Sequence, residues 1–261
     1  MNVNMKKNIL MLTGLLTAFF FPNRCVFCGM TLKEGSCVCN GCLSGIELIK
    51  GPICAKCGAP LRAVGTPPAK SCEQCTDLPL DYNKNESLGI FTGKLRELIH
   101  LYKFKRRKSL SRVFSAMLLK HKKNYVVSHD VLMVMPLTGS KRNERGFNQS
   151  FRIAREISKK VPVMFYGDII KRKGRSRPQS QIAARKERFS NVTDRFIVKE
   201  RHTGDLRGKN ILLFDDVLTT GATASACARS LYQYNVKNID ILTLARALKE
   251  PSMFNFNKKG R

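Results

Sequence analysis

Two adjacent carboxylates, Asp215 and Asp216, follow an apolar run (Ile211-Leu212-Leu213-Phe214) and precede Thr219-Thr220-Gly221-Ala222-Thr223. An apolar run of that length reads as a buried parallel strand, expected to stop at the carboxylates. Beyond the threonines a helical pattern runs to about Tyr234. A strand, a short loop bearing hydroxyls and a glycine, and a helix N-terminus make an anion site. Backbone N–H groups converge there, the helix dipole adds partial positive charge, and a glycine lets a phosphate approach the backbone. Two carboxylates are out of place in a simple phosphate site. They fit a ligand that also carries vicinal hydroxyls, or a bridging metal ion. A sugar phosphate meets both demands. Helix capping by one Asp or one Thr explains single residues but not the set.

The thirteen residues Ile211 to Thr223 resemble the phosphoribosyl-pyrophosphate signature of type I phosphoribosyltransferases. That resemblance implies that Asp215 and Asp216, as the catalytic pair, face the ribose 2- and 3-hydroxyls. It also implies that Thr219, Thr220, Gly221, Ala222 and Thr223 hold the 5-phosphate, with Val217 and Leu218 in the same binding segment.

The cysteines point to a second chemistry. Eight of the ten form four Cys-x-x-Cys pairs: Cys25/Cys28, Cys39/Cys42, Cys54/Cys57 and Cys72/Cys75, separated by 10, 11 and 14 residues. Two-residue spacing aims both thiolates of a tight knuckle at one tetrahedral Zn²⁺, and two knuckles complete a Cys₄ site. The segment Cys25-x-x-Cys28-Gly29-x-x-Leu32 repeats as Cys54-x-x-Cys57-Gly58-x-x-Leu61, offset by 29. Gly29 and Gly58 stand where a positive φ is usual. The repeat predicts sequential sites, Cys25/Cys28/Cys39/Cys42 and Cys54/Cys57/Cys72/Cys75; an interleaved cross-brace would leave it unexplained. One or two structural zinc ions follow. Disulfides in an oxidising compartment, an iron–sulfur cluster and a metal-free apolar core are the competing readings. Cys37 is a spare that could replace a ligand, and Cys227 reads as a buried inert thiol.

A chain of 261 residues can hold two domains, and 47 Lys plus Arg against 19 Asp plus Glu give +28, which calls for anionic partners. Residues 1–80 hold 8 basic and 4 acidic side chains, so nearly all the excess belongs to residues 81–261. Ile9 to Phe21 are apolar or small behind Lys6 and Lys7, but Phe19-Phe20-Phe21-Pro22 replaces the small residues of a signal cleavage site. The run also falls short of the ~20 residues that span a bilayer. It is read as a packing helix, with no stable membrane span and a cytoplasmic location.

Along the chain, the expected organisation is an apolar helix at 1–20, a double zinc ribbon at 21–80, an α/β domain at 85–248 and a basic tail at 249–261. Within the α/β domain, Leu88–Phe91, Val131–Met135, Val163–Tyr166 and Ile239–Arg246 read as strands. Lys94–Phe104, Ser109–His121 and the segment up to Lys160 read as helices. Such alternation implies a mostly parallel sheet with ligands at its carboxyl edge. Lys103-Phe104-Lys105-Arg106-Arg107-Lys108 sits beside Tyr102, and charge interleaved with aromatic faces suits single-stranded nucleic acid. A solvated helix end is the competing reading.

The Cys pairs, Pro136-Leu137 with Lys141-Arg142 and Arg145-Gly146-Phe147-Asn148-Gln149, Pro178-Gln179-Ser180 with Arg188 and Asn191, and the Asp-Asp loop together resemble the ComF/GntX-like competence proteins. The resemblance implies a zinc ribbon joined to a type I phosphoribosyltransferase-like domain, with a role in natural transformation. Pro136, Lys141 and Arg142 would form the pyrophosphate loop. Arg145, Asn148 and Gln149, with Gly146 in the same motif, would offer planar donors to a phosphate or base, although Asn148 also fits a helix cap. The basic stretch Lys171 to Arg177, with Arg175 and Arg177, would be the flexible loop that folds over pyrophosphate, or else a solvated charge run. Gln179, Arg188 and Asn191 would anchor it. Expected ligands are phosphoribosyl pyrophosphate or a related sugar phosphate with Mg²⁺, single-stranded DNA, and other competence or DNA-processing proteins. The alternative is a non-catalytic nucleic-acid-binding or nucleotide-sensing adaptor.

Overall fold

The computed structural model describes residues 23–32, 36–61, 71–72, 75, 80–105, 107–137, 148–173 and 195–248. Five strands form one parallel sheet: β1 (Asn85–Ile90), β2 (Val131–Val134), β3 (Met164–Tyr166), β6 (Asn210–Leu218) and β7 (Asn238–Arg246), in the order β1-β7-β6-β2-β3. The central strands are almost continuously apolar because both faces of the sheet are covered. One face carries α2 (Gly93–Phe104), α3 (Leu110–Val127) and α4 (Gln149–Ser158); the other carries α5 (Ala222–Tyr232) and a two-stranded antiparallel ribbon, β4 (Ile170–Lys173) with β5 (Arg195–Val198). A short helix, α1 (Asn40–Ser44), lies in the first Cys module.

The two Cys modules divide between these layers. Cys25, Cys37, Cys39 and Cys42 join the core of the α2–α3–α4 face, whereas Cys54, Cys57 and Cys75 join the core of the α5 face. Gly29 and Gly58 have φ of +73° and +67°, as the knuckle geometry demands.

Several boundaries differ from the sequence expectation. β6 does not stop at Asp215; it runs through both carboxylates to Leu218, which pairs with Arg246 of β7. A ladder is made by backbone groups, and side chains at its solvent-facing end do not interrupt it. α3 continues past His121 to Val127 across a non-helical Lys122, and α5 ends at Tyr232, short of Asn235 with its φ of +55°. Lys171 to Lys173 lie in β4, not in a loop. Their alternation is hidden because every residue is basic. Among the described residues no helix is long and apolar enough to cross a membrane. Residues 1–22 and 249–261 lie outside the described residues.

Candidate functional site

Asp215 and Asp216 leave the last third of β6, at the carboxyl edge of the sheet. Successive strand residues point to opposite faces, so the two carboxylates have different neighbours. Asp216, 8% exposed, pairs at 2.7 Å with Lys103 Nζ from α2. Asp215 Oδ1 accepts the Asp216 amide at 2.8 Å, and its charge reaches Cys227 of α5. Burial is the main reason that the Cys227 thiol is pushed well above its usual pKa, which makes it inert.

After Leu218, the loop Thr219-Thr220-Gly221 turns the chain into α5. Gly221 takes φ +83° at the N-cap, a left-handed conformation that a side chain disfavours. A Cβ there would also lie 2.7 Å from the Tyr82 hydroxyl and 3.2 Å from Leu80. The Ala222 amide donates to Thr220 Oγ1 at 3.3 Å, and the Ser225 amide to the Gly221 carbonyl at 2.8 Å. Val217 and Leu218 belong to the strand; Leu218 is buried in the core and serves the loop as a support.

Two residues under this loop escaped the sequence reading. Arg246, the last residue of β7, is 1% exposed, and its guanidinium donates to the carbonyls of Leu218, Thr219 and Ala247. Its Nε has no hydrogen-bond partner among the described residues. Tyr82 is fully buried beneath Gly221, and its hydroxyl also has no partner among the described residues. Burial, seconded by the Cys57 thiolate, pushes that hydroxyl's pKa far up, so it is neutral.

The eight paired cysteines converge as two groups of four, Cys25/Cys28/Cys39/Cys42 and Cys54/Cys57/Cys72/Cys75, and all ten cysteines are unbridged. Zn–S bonds of about 2.3 Å place tetrahedral sulfurs about 3.8 Å apart. The structure has 3.7 Å between Cys28 and Cys39 Sγ and 3.6 Å between Cys57 and Cys72 Sγ. Backbone amides of Cys39 and Cys42 donate to the sulfurs of one group, and those of Cys57 and Cys72 to the other. Such outer hydrogen bonds stabilise thiolate ligands. Both groups fit structural zinc with every position filled by protein, and Cys37 lies outside them.

The comparisons agree with this two-part construction. Residues 16–76 match the double zinc ribbon domain, and residues 148–259 match the phosphoribosyl transferase domain. Competence protein F of Haemophilus influenzae is 26% identical over 236 residues, covering 87% of this chain and 99% of that protein. Competence protein ComFC of Bacillus subtilis is 26% identical over 224 residues, covering 83% and 87%. The chain is thus similar to ComF-type competence proteins over most of its length. A solved hypoxanthine phosphoribosyltransferase from Staphylococcus aureus superposes with a TM-score of 0.36 at 15% identity, over 56% of this chain and 66% of its own.

In this ComF-like chain the remaining motif residues are distributed unevenly. Pro136 follows β2 beside β6, where the Met135 amide donates to the Phe214 carbonyl at 3.0 Å. Asn148 caps α4, its Oδ1 accepting the Phe151 amide at 3.1 Å, so the capping reading holds for that oxygen. Gln149 is fully buried, and its carbonyl accepts the Tyr102 hydroxyl at 2.9 Å. Lys141, Arg142, Arg145, Gly146, Arg175, Arg177, Gln179, Arg188, Asn191 and Arg106 lie outside the described residues.

The basic stretch after α2 is also not uniform. Lys105, Arg107 and Lys108 are exposed, but Lys103 turns inward to Asp216. Tyr102 is fully buried, so its ring cannot stack on a base; Phe104, 51% exposed, is the accessible aromatic. Helical period explains the split, since Lys103 lies one turn beyond the core residue Ile99. A second concentration of charge, absent from the sequence reading, lines a cleft of about 430 Å³ with Lys84, Lys120, His121, Lys122 and Lys123. It opens at the amino edge of the sheet, where β1 and β2 begin.

Proposed function

We propose that this protein binds phosphoribosyl pyrophosphate, or a related sugar phosphate, at the carboxyl end of β6 and acts on imported single-stranded DNA in natural transformation. The observation that carries the reading is the strand–loop–helix at Asp215 to Thr223, with carboxylates before a left-handed glycine and a helix N-terminus after it. The role in DNA uptake comes from relatives named competence proteins and from the +28 charge. The working unit is an N-terminal ribbon over 21–80 followed by a phosphoribosyltransferase-like domain over 85–248, with flanking segments 1–20 and 249–261. A cytoplasmic site of action and contacts with other competence proteins are part of the same proposal.

In the chemistry proposed, the amides and hydroxyls of Thr219 to Thr223 hold the 5-phosphate. Asp215 and Asp216 accept from the ribose hydroxyls and stabilise positive charge developing on the sugar. Pro136 with Lys141 and Arg142 faces the leaving pyrophosphate, and the segment bearing Arg175 and Arg177, with Gln179, Arg188 and Asn191, excludes water. The carboxylates of Asp215 and Asp216 are hard oxygen donors of the kind Mg²⁺ takes. Bound with the ligand, Mg²⁺ would neutralise phosphate charge. No residue stands out as a base for the acceptor.

A second reading, a nucleotide-sensing or DNA-binding adaptor without catalysis, draws on the Lys103–Asp216 ion pair. That ammonium already engages one Asp216 oxygen, so a ribose hydroxyl must share the carboxylate with it or displace it. Titrating the two-zinc protein with phosphoribosyl pyrophosphate and Mg²⁺ in a calorimeter tests the pocket. Pyrophosphate release with a panel of bases and DNA then separates the two readings. Saturable binding with release favours the enzyme, binding without release favours the adaptor, and no binding removes both.

Lys105 and Lys108 are expected to track nucleic-acid phosphates. Changing both to Gln should weaken single-strand binding and lower the slope of log affinity against log salt by about 1.4, at about 0.7 per phosphate contact. Lys103→Gln should leave that slope unchanged, because the ammonium faces Asp216. An equal slope change for all three lysines would reject this division.

A further inference from the structure

Arg246 is a fully buried cation, and no carboxylate among the described residues pairs with it. Stripping a guanidinium of water costs several kcal/mol unless opposing charge and acceptors replace the solvent. Loop carbonyls supply the acceptors. The second Cys₄ group, whose Cys54, Cys57 and Cys75 share a core with Tyr82, offers an opposing charge. A Zn²⁺ ion with four thiolates carries a net charge of −2, the sign that a buried guanidinium calls for.

The contacts connecting the two sites are continuous. Asn85 Nδ2 donates to the Cys57 carbonyl at 3.0 Å, and the Asn85 amide donates to the Lys56 carbonyl at 2.9 Å. Lys56 Nζ reaches the Tyr82 carbonyl at 3.3 Å, and the Tyr82 hydroxyl sits under Gly221. One residue earlier, Asp81 binds Ser225 and Arg229 of α5. A carbonyl and the next N–H point in opposite directions across a trans peptide. By drawing the Leu218 and Thr219 carbonyls inward, Arg246 therefore turns the Thr219 and Thr220 amides outward. The first Cys₄ group belongs to the opposite face.

We propose that the second zinc site is a working part of the phosphate site: metal at Cys54/Cys57/Cys72/Cys75 fixes Thr219 to Gly221 in its binding shape, with Arg246 as the positioning residue that links them. The inference rests on the reading of that loop as a phosphate cradle. By linkage, a ligand that needs the ordered loop must tighten that zinc site by the same factor.

The test uses the full chain carrying both zinc ions. In competition with a graded series of chelators, saturating phosphoribosyl pyrophosphate should shift the release midpoint of one zinc by about tenfold and leave the other in place. In Cys72→Ser the ligand-sensitive zinc should be the missing one. Arg246→Lys should retain both ions but abolish the ligand-induced shift, because the three carbonyls converge on the far end of the guanidinium and the shorter lysine does not carry its ammonium to that point. Without any ligand, hydrogen exchange at amides 219–223 should quicken about tenfold in both variants.

If wild type binds the ligand with neither zinc midpoint moved, or if Arg246→Lys keeps the shift, the coupling is wrong. Should wild type not bind phosphoribosyl pyrophosphate at all, the functional reading above fails. The exchange measurement still decides the mechanical link, and unchanged loop exchange in Arg246→Lys rejects it. If Cys72→Ser does not fold, the wild-type and Arg246→Lys measurements decide.

Discussion

Gly221→Ala is expected to lower the melting temperature by about 5–15 °C and to weaken sugar-phosphate binding more than tenfold. Two costs add. An L-residue held at φ +83° loses about 1–2 kcal/mol. A Cβ 2.7 Å from the Tyr82 hydroxyl overfills a packed site, which typically costs about 1–3 kcal/mol. For a domain of this size each kcal/mol moves the melting point by about 2–4 °C. Adding Tyr82→Phe removes the hydroxyl and should recover part of the packing loss but none of the backbone strain. Thermal melts with zinc content checked, followed by calorimetric titration, measure both effects. A melting point within 2 °C of wild type would mean that the loop has room for a side chain and is not a tight anion cradle.

The second large effect concerns the carboxylates. Hydrogen bonds to a charged partner contribute about 1.5–3 kcal/mol, or roughly 10- to 150-fold in affinity. Asp215→Asn and Asp216→Asn should each weaken phosphoribosyl pyrophosphate binding by about that range, and the double variant by at least about 100-fold. The fold should survive, since the ladder through both positions is made by the backbone. Asp216→Asn carries one further consequence: it frees Lys103 from its ion pair, so its loss should be smaller than that of Asp215→Asn. Retained affinity in the double variant would show that the ligand lies elsewhere.

Much of the architecture was legible because it is local. Two-residue cysteine spacing, the 29-residue repeat and the glycines after the knuckles predict the grouping of thiols that the structure displays. Apolar runs of strand length separated by helical patterns predict the parallel sheet. What escaped depends on register between distant segments. Arg246 reads as an ordinary basic residue at the end of a strand, and only its pairing opposite Leu218 puts it under the loop. Tyr82 reads as a linker residue, and its place beneath Gly221 is set by a contact across 139 positions of sequence. Lys103 was grouped with its basic neighbours because charge runs are read linearly, whereas the helix rotates each residue by about 100° and sends this one inward.

The order of the strands has a consequence for the nascent chain. β1 pairs with β7, so residues 85–90 find their hydrogen-bonding neighbour only after residue 246 has left the ribosome. At about 5–20 residues per second that is a wait of roughly 8–30 s. Over that interval the thiols of residues 54–75 have no finished surface to dock against. They are therefore open to oxidants and competing metals during synthesis, when zinc supply counts most for the yield of intact protein.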